Sequence, residues 1–407
     1  MKKIIAPVLL VCILALAWSC SGKQGTESKA TADSLARVDS VAKAKHAADS
    51  LALTVAKDTL LDYTARFIAG LPQLTNNSFS ALEKDKFWEE YKASMDASWK
   101  QMYDTRLSKI ADWETGTLSS SINDSLTLFY PFSGPDFLHA YYLFPRTSLY
   151  VMAALEPVRP VPDLKKLQLK ARDKFLDSLG NSLRDIFQKS YFITTHMQKD
   201  LKQVKGVLPP LYFFIERSGY ELLSQKFITL DTAGNEKDVE VTKIHWQKNQ
   251  GVKLVARNRE TNEIKTIYYF SVSINNSGLK DRPGFVKFVK HLAPFNTFVK
   301  SASYLMHHKD EFATIRSMIV QLSQTVLQDD TGIPYKYFSS RLDWNGQFFG
   351  EYIKPVEDFS SGLYQKDLDS AFKASSKPLP FSLGYHWSTK KQNYMLFGRT
   401  KKLNLNK

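Results

Sequence analysis

The sequence predicts an α+β protein, with one large single globular body in which an antiparallel sheet packs against helices. The 407 residues are 43% hydrophobic and 13% aromatic, which is enough for a large core. Segments with strand alternation cluster between residues 220 and 274, and segments with helical periodicity lie on either side of them. Runs of strands beside runs of helices indicate α+β rather than alternating α/β.

Composition divides the chain into three predicted segments: a signal peptide at 1–19, a lipidated N-terminus and polar stalk at 20–60, and the globular α+β domain at 61–407. After Lys2 and Lys3, the apolar run from Ile4 to Trp18 has 15 residues. That is too short to span a bilayer and is typical of a secretory signal peptide. From Gly22 onward, small and polar residues dominate until Tyr63, as in a flexible tether.

The apolar run ends at Ala17-Trp18-Ser19-Cys20, which resembles the lipobox of bacterial lipoprotein precursors. The resemblance implies cleavage before Cys20, a diacylglyceryl group on its thiol and an acyl chain such as palmitate on its new amine. Two or more chains anchor a protein stably. In inner-membrane lipoproteins an Asp follows the cysteine directly. Here the residue at that position is Ser21, and the resemblance therefore implies the outer membrane. The match departs from the usual pattern at Ala17, where Leu is common, and at Trp18. The alternative is an ordinary cleaved signal with a spare cysteine.

A tripeptide of Asp, then Ser or Thr, then a small or aliphatic residue occurs eight times, four of them in the stalk. Average residue usage would give about one or two. The pattern resembles the acceptor signal of a periplasmic O-glycosylation system, which would place sugars on Ser34, Ser40, Ser50 and Thr59. The alternative is that these residues are helix N-caps and solvated linker residues, and both interpretations stay open for the stalk.

Within the body, a capping box at Ser80–Glu83 predicts the start of a long helix with a buried aromatic stripe from Trp88 to Trp113. The pattern further predicts a helix over 137–144 capped by Asp136. The remaining predicted helices are 163–188, 195–204, one from 208, 285–292, 295–307, 311–327 and 365–373; the predicted strands are 126–129, 148–155, 220–230, 239–247, 252–258, 264–274, 347–353 and a hairpin of 381–387 with 394–399.

Motifs for nucleotide binding, zinc proteolysis and the α/β-hydrolase nucleophile are absent from the sequence. Asp136 and His139, one helical turn apart, are candidates for an acid–base pair, although Asp136 could simply cap its helix. Asp329 and Asp330 could bind a cation or a sugar hydroxyl, or form a plain polar turn. His307 is a weaker candidate, because a histidine facing the core is usually a hydrogen-bonded structural residue. The sequence predicts no metal site and no cofactor.

Three segments, Tyr130–Asp136, Lys300–His307 and Gln328–Pro334, resemble signatures of an uncharacterised family of bacterial exported proteins. The resemblance spans most of the body from about residue 120 and implies no activity. We therefore expect a membrane-anchored cell-envelope lipoprotein that binds an unknown envelope protein, glycan or lipid. The alternative is an envelope hydrolase or lyase that uses Asp136 with His139 or Asp329.

The net charge of +14 favours anionic partners, but the basic residues form no run or stripe. Together with export, this argues against nucleic acid as a partner. Cys12 lies in the leader, so that Cys20 is the one thiol of the mature chain and a disulfide framework is excluded.

Overall fold

A computed structural model of the protein describes residues 57–192, 204, 206–240, 250–356, 359, 363–387 and 392–403. These residues lie within one compact unit. The predictions for the leader, for Cys20 and for Ser34, Ser40 and Ser50 lie outside the described residues, as does nearly all of the predicted helix 195–204. Within the described ranges, no helix is both long and apolar enough to cross a membrane.

In the described part of the chain, ten strands form one mixed sheet in the order β4-β3-β5-β6-β2-β1-β7-β8-β10-β9. The central strands β6, β2, β1, β7 and β8 are parallel to one another. The strands at both ends of the sheet pair antiparallel. The strands are β1 (Leu128–Pro131), β2 (Leu149–Ala154), β3 (Tyr220–Leu230), β4 (Glu236–Asp238), β5 (Gln250–Asn258), β6 (Ile264–Ser271), β7 (Phe295–Val299), β8 (Ser323–Gln328), β9 (Trp344–Gly350) and β10 (Asn393–Arg399).

Helices cover both faces of the sheet. They are α1 (Thr59–Ile68), α2 (Lys86–Met102), α3 (Ser108–Trp113), α4 (Phe137–Leu143), α5 (Leu169–Lys189), α6 (Leu208–Arg217), α7 (Asn276–Lys280), α8 (Pro283–His291), α9 (Ala313–Leu322), α10 (Lys336–Ser339) and α11 (Lys366–Ser375). Short π-helical segments connect α2 to α3 and follow α3. The prediction of one globular body in which a sheet packs against helices is confirmed. The sheet is mixed, however, rather than antiparallel.

Two hydrophobic cores lie on opposite faces of the sheet. Helices α1 to α6 pack on the first, which receives Tyr150 and Met152 of β2. Helices α8 to α11 pack on the second, which receives Val151 and Ala153 from the same strand. Successive side chains of a strand point to opposite faces, so β1 and β2 are apolar at every position, while β7 and β8 bury polar side chains as well. This explains why the sequence pattern could not mark them as clearly as the outer hairpins.

The prediction of a helix over 295–307 is wrong. Residues Phe295–Val299 form the central strand β7, and only a single 3₁₀ turn, Leu305–His307, follows it. Phe295, Phe298 and Val299 have helical spacing, but a strand buried on both faces shows no alternation that would reveal it. For the same reason, the predicted helix 311–327 divides into α9 and the parallel strand β8.

Two predicted local motifs are also wrong. Ser80 and Glu83 do not cap α2, because their side chains accept hydrogen bonds from the amides of Asn77 and Gln73. The N-cap of α2 is Asp85. The predicted closing hairpin is not formed either, since β10 pairs with β8 and β9. The aromatic stripe itself is buried as predicted, with Trp99 partly buried against the same core.

The path of the chain creates a crevice beyond the carboxyl ends of the central strands. From β1 the chain proceeds to β2 and onward to β6, all on one side of β1. It then returns to β7, on the other side of β1, and continues to β8. The loops that follow β1 and β7 therefore diverge, and in open sheets of this kind ligands bind at such a switch point, outside the carboxyl ends of the parallel strands.

Candidate functional site

A cavity of about 360 Å³ lies at the carboxyl ends of the parallel strands. Its walls come from the segments that follow β1, β2, β6 and β7, together with residues near Tyr191 and Tyr385. Ligand cavities of proteins usually measure about 300–1,000 Å³ and are mostly apolar with a few polar groups. The cavity at the switch point fits this description: its lining includes Phe132, Phe192 and Phe312 beside Ser133 and Lys300.

Asp136 is the centre of a buried hydrogen-bond network at the base of the cavity. Its Oδ1 accepts hydrogen bonds from the His139 amide at 3.2 Å and contacts His139 Nδ1 at 2.8 Å. Its Oδ2 accepts from Lys300 Nζ at 2.5 Å and from the Tyr130 hydroxyl at 3.0 Å. Lys300 also donates to the carbonyl of Ser190 at 2.5 Å. The structure thus brings Asp136 and His139 together as predicted, and it adds Lys300.

Burial and pairing set the protonation of this network. Burial raises the pKa of Asp136, but His139 and Lys300 outweigh it and hold the pKa at about 2. Burial lowers the pKa of His139 to about 4, against the attraction of Asp136. Burial also lowers the pKa of Lys300, and Asp136 opposes that shift. At neutral pH the Asp136–Lys300 ion pair lies beside a neutral imidazole.

The backbone around the cavity adopts left-handed conformations that side chains rarely tolerate. Phe132 has φ of 61°, Ser301 of 54°, Ser303 of 52° and Tyr304 of 55°. Such residues cost about 1–3 kcal/mol each and persist where the surrounding structure enforces them, often at functional sites. Their concentration in the loops after β1 and β7 marks this edge of the sheet as the candidate site.

Asp329 and Asp330 follow β8 and lie behind the loop that follows β7. Asp329 accepts hydrogen bonds from the amides of Ser301 at 2.9 Å and Thr331 at 3.0 Å. Asp330 accepts from the Tyr304 hydroxyl and the Asn393 amide group and contacts His386 Nε2 at 3.0 Å. Both aspartates are only 2% exposed, and their contacts hold the loop after β7 in position.

Burial and the neighbouring charge of Asp330 raise the pKa of Asp329 to about 6. A carboxyl group that titrates near neutrality is a feature of acid–base catalysts, although structural networks produce it too. Gly384 (φ 77°) lies against this group, and a Cβ there would approach both Asp329 Oδ2 and Ser301 Oγ to 3.0 Å. A glycine is therefore required where the segment before β10 crosses the loop after β7.

The remaining candidate, His307, does not join the site. It lines a separate, open depression with Pro334 and Lys336. Burial lowers its pKa to about 4. Among the described residues, no cluster of three or more histidine, cysteine or acidic side chains could hold a metal ion.

Sequence reasoning missed Ser133, Lys300 and Ser301 as individual site residues. A signal was present, because Ser133 directly follows the apolar run 128–132, and Lys300 and Ser301 directly follow Phe298 and Val299. Because 295–307 was assigned to a helix, the position of Lys300 and Ser301 directly after a strand was not recognised. Thr59 is the one predicted glycosylation position that the structure describes: it is exposed in the first turn of α1, and the preceding Asp58 is the N-cap.

Comparison of the chain with family models, with curated proteins and with solved structures found no match. The candidate site therefore rests on its geometry alone.

Proposed function

We propose that this protein is a lipoprotein of the cell envelope, anchored to the outer membrane through Cys20, and that its folded body binds a small amphipathic molecule. The observation that carries the binding proposal is the cavity of about 360 Å³ at the switch point of the sheet, with aromatic walls and few polar groups. Envelope lipids and glycolipid fragments belong to this chemical class.

The anchoring part of the proposal is supported by the signal-like leader and by the lipobox-like sequence that ends at Cys20. Cys20→Ser is expected to move the protein from the membrane fraction of its host to the soluble fraction. Cys12→Ser is the matched control and should leave the fractionation unchanged, because the leader is removed. Membrane retention of the Cys20→Ser protein would contradict lipid anchoring at this residue.

The contacts of Asp136 and Ser133 favour binding over catalysis. Each carboxylate oxygen of Asp136 already has two partners, and the side chain is 1% exposed. The Ser133 hydroxyl has no hydrogen-bond partner among the described residues, so no base there activates it as a nucleophile. A network in which both carboxylate oxygens of Asp136 are already paired suits a rigid binding site.

The binding proposal can be tested with the fluorescent apolar probe N-phenyl-1-naphthylamine. The mature chain with Cys20→Ser avoids detergent, and the probe should bind it saturably. Leu155 lines the cavity and is 64% exposed, which places it at the opening. Leu155→Glu should weaken probe binding at least fivefold, since a charge at an apolar opening must be desolvated. Leu342→Glu is the matched control, because Leu342 is fully exposed (100%) outside the cavity lining. Equal effects of the two variants would contradict the proposal.

A hydrolase or lyase that uses Asp136 with His139 or Asp329 is the second candidate function. The pKa of Asp329 near 6 favours it, because a carboxyl group poised near neutrality can exchange protons during a reaction. Turnover of p-nitrophenyl butyrate by the mature chain, abolished by Asp329→Asn while probe binding persists, would support this candidate. Turnover that persists in both the Asp329→Asn and the Asp136→Asn variant would show that neither residue is catalytic.

A further inference from the structure

The charged side chains that line the cavity follow three neighbouring parallel strands. Strands β2, β1 and β7 are adjacent in the sheet, and Glu156, Asp136 and Lys300 lie beyond their carboxyl ends in that order. Asp136 lies 2.5 Å from Lys300 Nζ, so the charges of these two residues neutralise each other. Glu156 forms no ion pair with any lysine, arginine or histidine that the structure describes. One lysine against two carboxylates gives the ionised lining a net charge of −1.

Glu156 has only uncharged polar neighbours in the described part of the chain. Its Oε2 lies 3.2 Å from the Tyr269 hydroxyl, and the same hydroxyl lies 3.1 Å from the Glu156 carbonyl oxygen. A phenol donates a single proton, so the carboxylate receives at most a share of one hydrogen bond from Tyr269. Burial raises the pKa of Glu156 and outweighs this hydroxyl and the nearby backbone amides, which favour the ionised form. Glu156 is half-buried and its Oε1 is not sealed off, so that a ligand in the cavity can reach it.

Lys300 does not make the cavity an anion site. His139 Nδ1 donates to the ionised Asp136 carboxylate, which can only accept, so the 3.1 Å contact between Lys300 Nζ and His139 Nδ1 is not a hydrogen bond. Lys300 therefore keeps one N–H after its bonds to Asp136 and to the Ser190 carbonyl. This N–H can donate to a neutral oxygen of a ligand. An anion at the same place would be repelled by the Asp136 carboxylate, which lies 2.5 Å from the lysine.

We infer that the cavity selects an amphipathic amine, whose cationic head pairs with the Glu156 carboxylate while its apolar part packs on the aromatic walls. This inference rests on the proposed binding function. Folding has already removed part of the hydration of this carboxylate, so an ammonium group that supplies the missing donors forms charge-assisted hydrogen bonds with it. The faces of aromatic rings also attract a cation, and the lining includes Phe132, Phe192 and Phe312. A carboxylate head would instead meet a lining of negative net charge.

The volume of the cavity limits the size of this amine. At about 30 Å³ for each small group, the share of one molecule in liquid water, a cavity of about 360 Å³ holds about twelve non-hydrogen atoms. An eight-carbon chain with a small head fits that limit. Octylammonium, octan-1-ol and octanoate are therefore matched probes with a cationic, a neutral and an anionic head.

The test measures displacement of N-phenyl-1-naphthylamine from the mature chain carrying Cys20→Ser at pH 7.5. In about 0.15 M salt, the positive charge of the whole chain is screened beyond about 8 Å. Octylammonium is expected to bind at least tenfold more tightly than octan-1-ol, because a hydrogen bond to a charged group contributes more than a neutral one. Octanoate is expected to bind more weakly than either, because the ionised lining repels it.

Glu156→Gln removes the negative charge and keeps the shape of the side chain. It should weaken octylammonium binding at least tenfold and leave the affinities for octan-1-ol and the apolar probe unchanged. No cation is left without its partner in this variant, so it is expected to fold. Glu260→Gln is the matched control, because it makes the same change at an exposed position outside the cavity lining. It should leave all affinities unchanged.

Different failures separate the two proposals. If octan-1-ol or octanoate binds as tightly as octylammonium, the inference of a cationic head is wrong while the proposed binding function stands. This comparison decides the matter even if Glu156→Gln does not fold. The inference is also wrong if Glu156→Gln leaves octylammonium binding unchanged or weakens all ligands equally. If the apolar probe and all three eight-carbon molecules fail to bind, the proposed binding function is wrong and the inference fails with it.

Discussion

Asp136 caps α4 and neutralises a lysine at the same time. A helix N-cap accepts a hydrogen bond from an amide of the first turn, and Asp136 does so with the amide of His139. Its other oxygen lies 2.5 Å from Lys300 Nζ, which is 164 residues away in sequence. The local pattern predicted the cap, but nothing local could reveal the lysine. The sequence therefore predicted Asp136, one member of the central ion pair, but not Lys300.

Asp136→Asn should destabilise the protein strongly, because the amide keeps the cap but leaves the Lys300 charge buried without a counter-charge. Removing one partner of a buried ion pair typically costs about 3–5 kcal/mol. The loss can be measured by urea denaturation. The double variant Asp136→Asn/Lys300→Met is expected to recover part of it, since neither charge remains. A loss below about 1 kcal/mol in the single variant would mean that water reaches Lys300.

The titration of Asp329 should lower the free energy of unfolding as the pH rises from about 4 to about 6. Burial and the charge of Asp330 raise its folded pKa to about 6, above the ordinary value of 3.8, so the folded state binds the proton more tightly than the unfolded state. The stabilisation is complete below pH 3.8 and disappears as pH rises through 6, by about 3 kcal/mol. His139 and His307, whose pKa values of about 4 lie below 6.5, gain stability as pH rises through the same window, so the contribution of Asp329 is measured as the difference in slope between the wild type and Asp329→Asn in urea denaturation from pH 4 to 7. Parallel slopes would place the titration elsewhere.

The contribution of Asp136 to the free energy of unfolding depends on pH with the opposite sign. Its folded pKa of about 2 lies below the unfolded value of 3.8, so its contribution is present above pH 3.8 and is lost as pH falls toward 2. The two aspartates therefore act in separate pH windows, and acid unfolding below pH 3.8 reports the Asp136–Lys300 pair rather than Asp329.

At the scale of elements, β3, the β5–β6 hairpin and the Asp136 cap of α4 followed their local sequences, whereas the capping box at Ser80–Glu83 and the closing hairpin did not. The strand predicted over 220–230 and the hairpin turn near residues 260–263 are present as β3 and the β5–β6 connection. Both are antiparallel, with partners close in sequence. Strand β7 was mistaken for a helix because its neighbours β1 and β8 cover its edges and helices cover both its faces. Its identity depends on pairing with residues that are distant in the chain.

Helix α1 offers a test of the tripeptide pattern. Asp58 caps the helix, and its side chain accepts a hydrogen bond from the Leu61 amide at 3.0 Å. Asp58→Ala should therefore cost about 0.5–2 kcal/mol in the free energy of unfolding. Thr59→Ala, at the exposed neighbouring position, is the control and should stay within about 0.5 kcal/mol. Equal losses in thermal unfolding would show that the cap is not what stabilises this helix start.

At the scale of the whole molecule, the intact mass of the protein tests the hypothesis that the stalk is glycosylated. If Ser34, Ser40, Ser50 and Thr59 carry sugars, protein purified from its native host will exceed the combined mass of peptide and lipid in intact-mass spectrometry. The quadruple Ala variant at these positions should lose the excess mass. A wild-type mass explained by peptide plus lipid alone would contradict the hypothesis and leave the aspartates as caps and solvated linker residues.

The sequence by itself determined those elements whose stabilising contacts are local: the cap at Asp136, the buried aromatic stripe of α2 and the β5–β6 hairpin. The tertiary structure alone decided that the strands at the centre of the sheet are parallel and that the loops after β1 and β7 line a cavity between them. The physical reason is that parallel strands hydrogen-bond only to partners brought in by long crossovers. A pattern read over a few neighbouring residues contains no information about those partners.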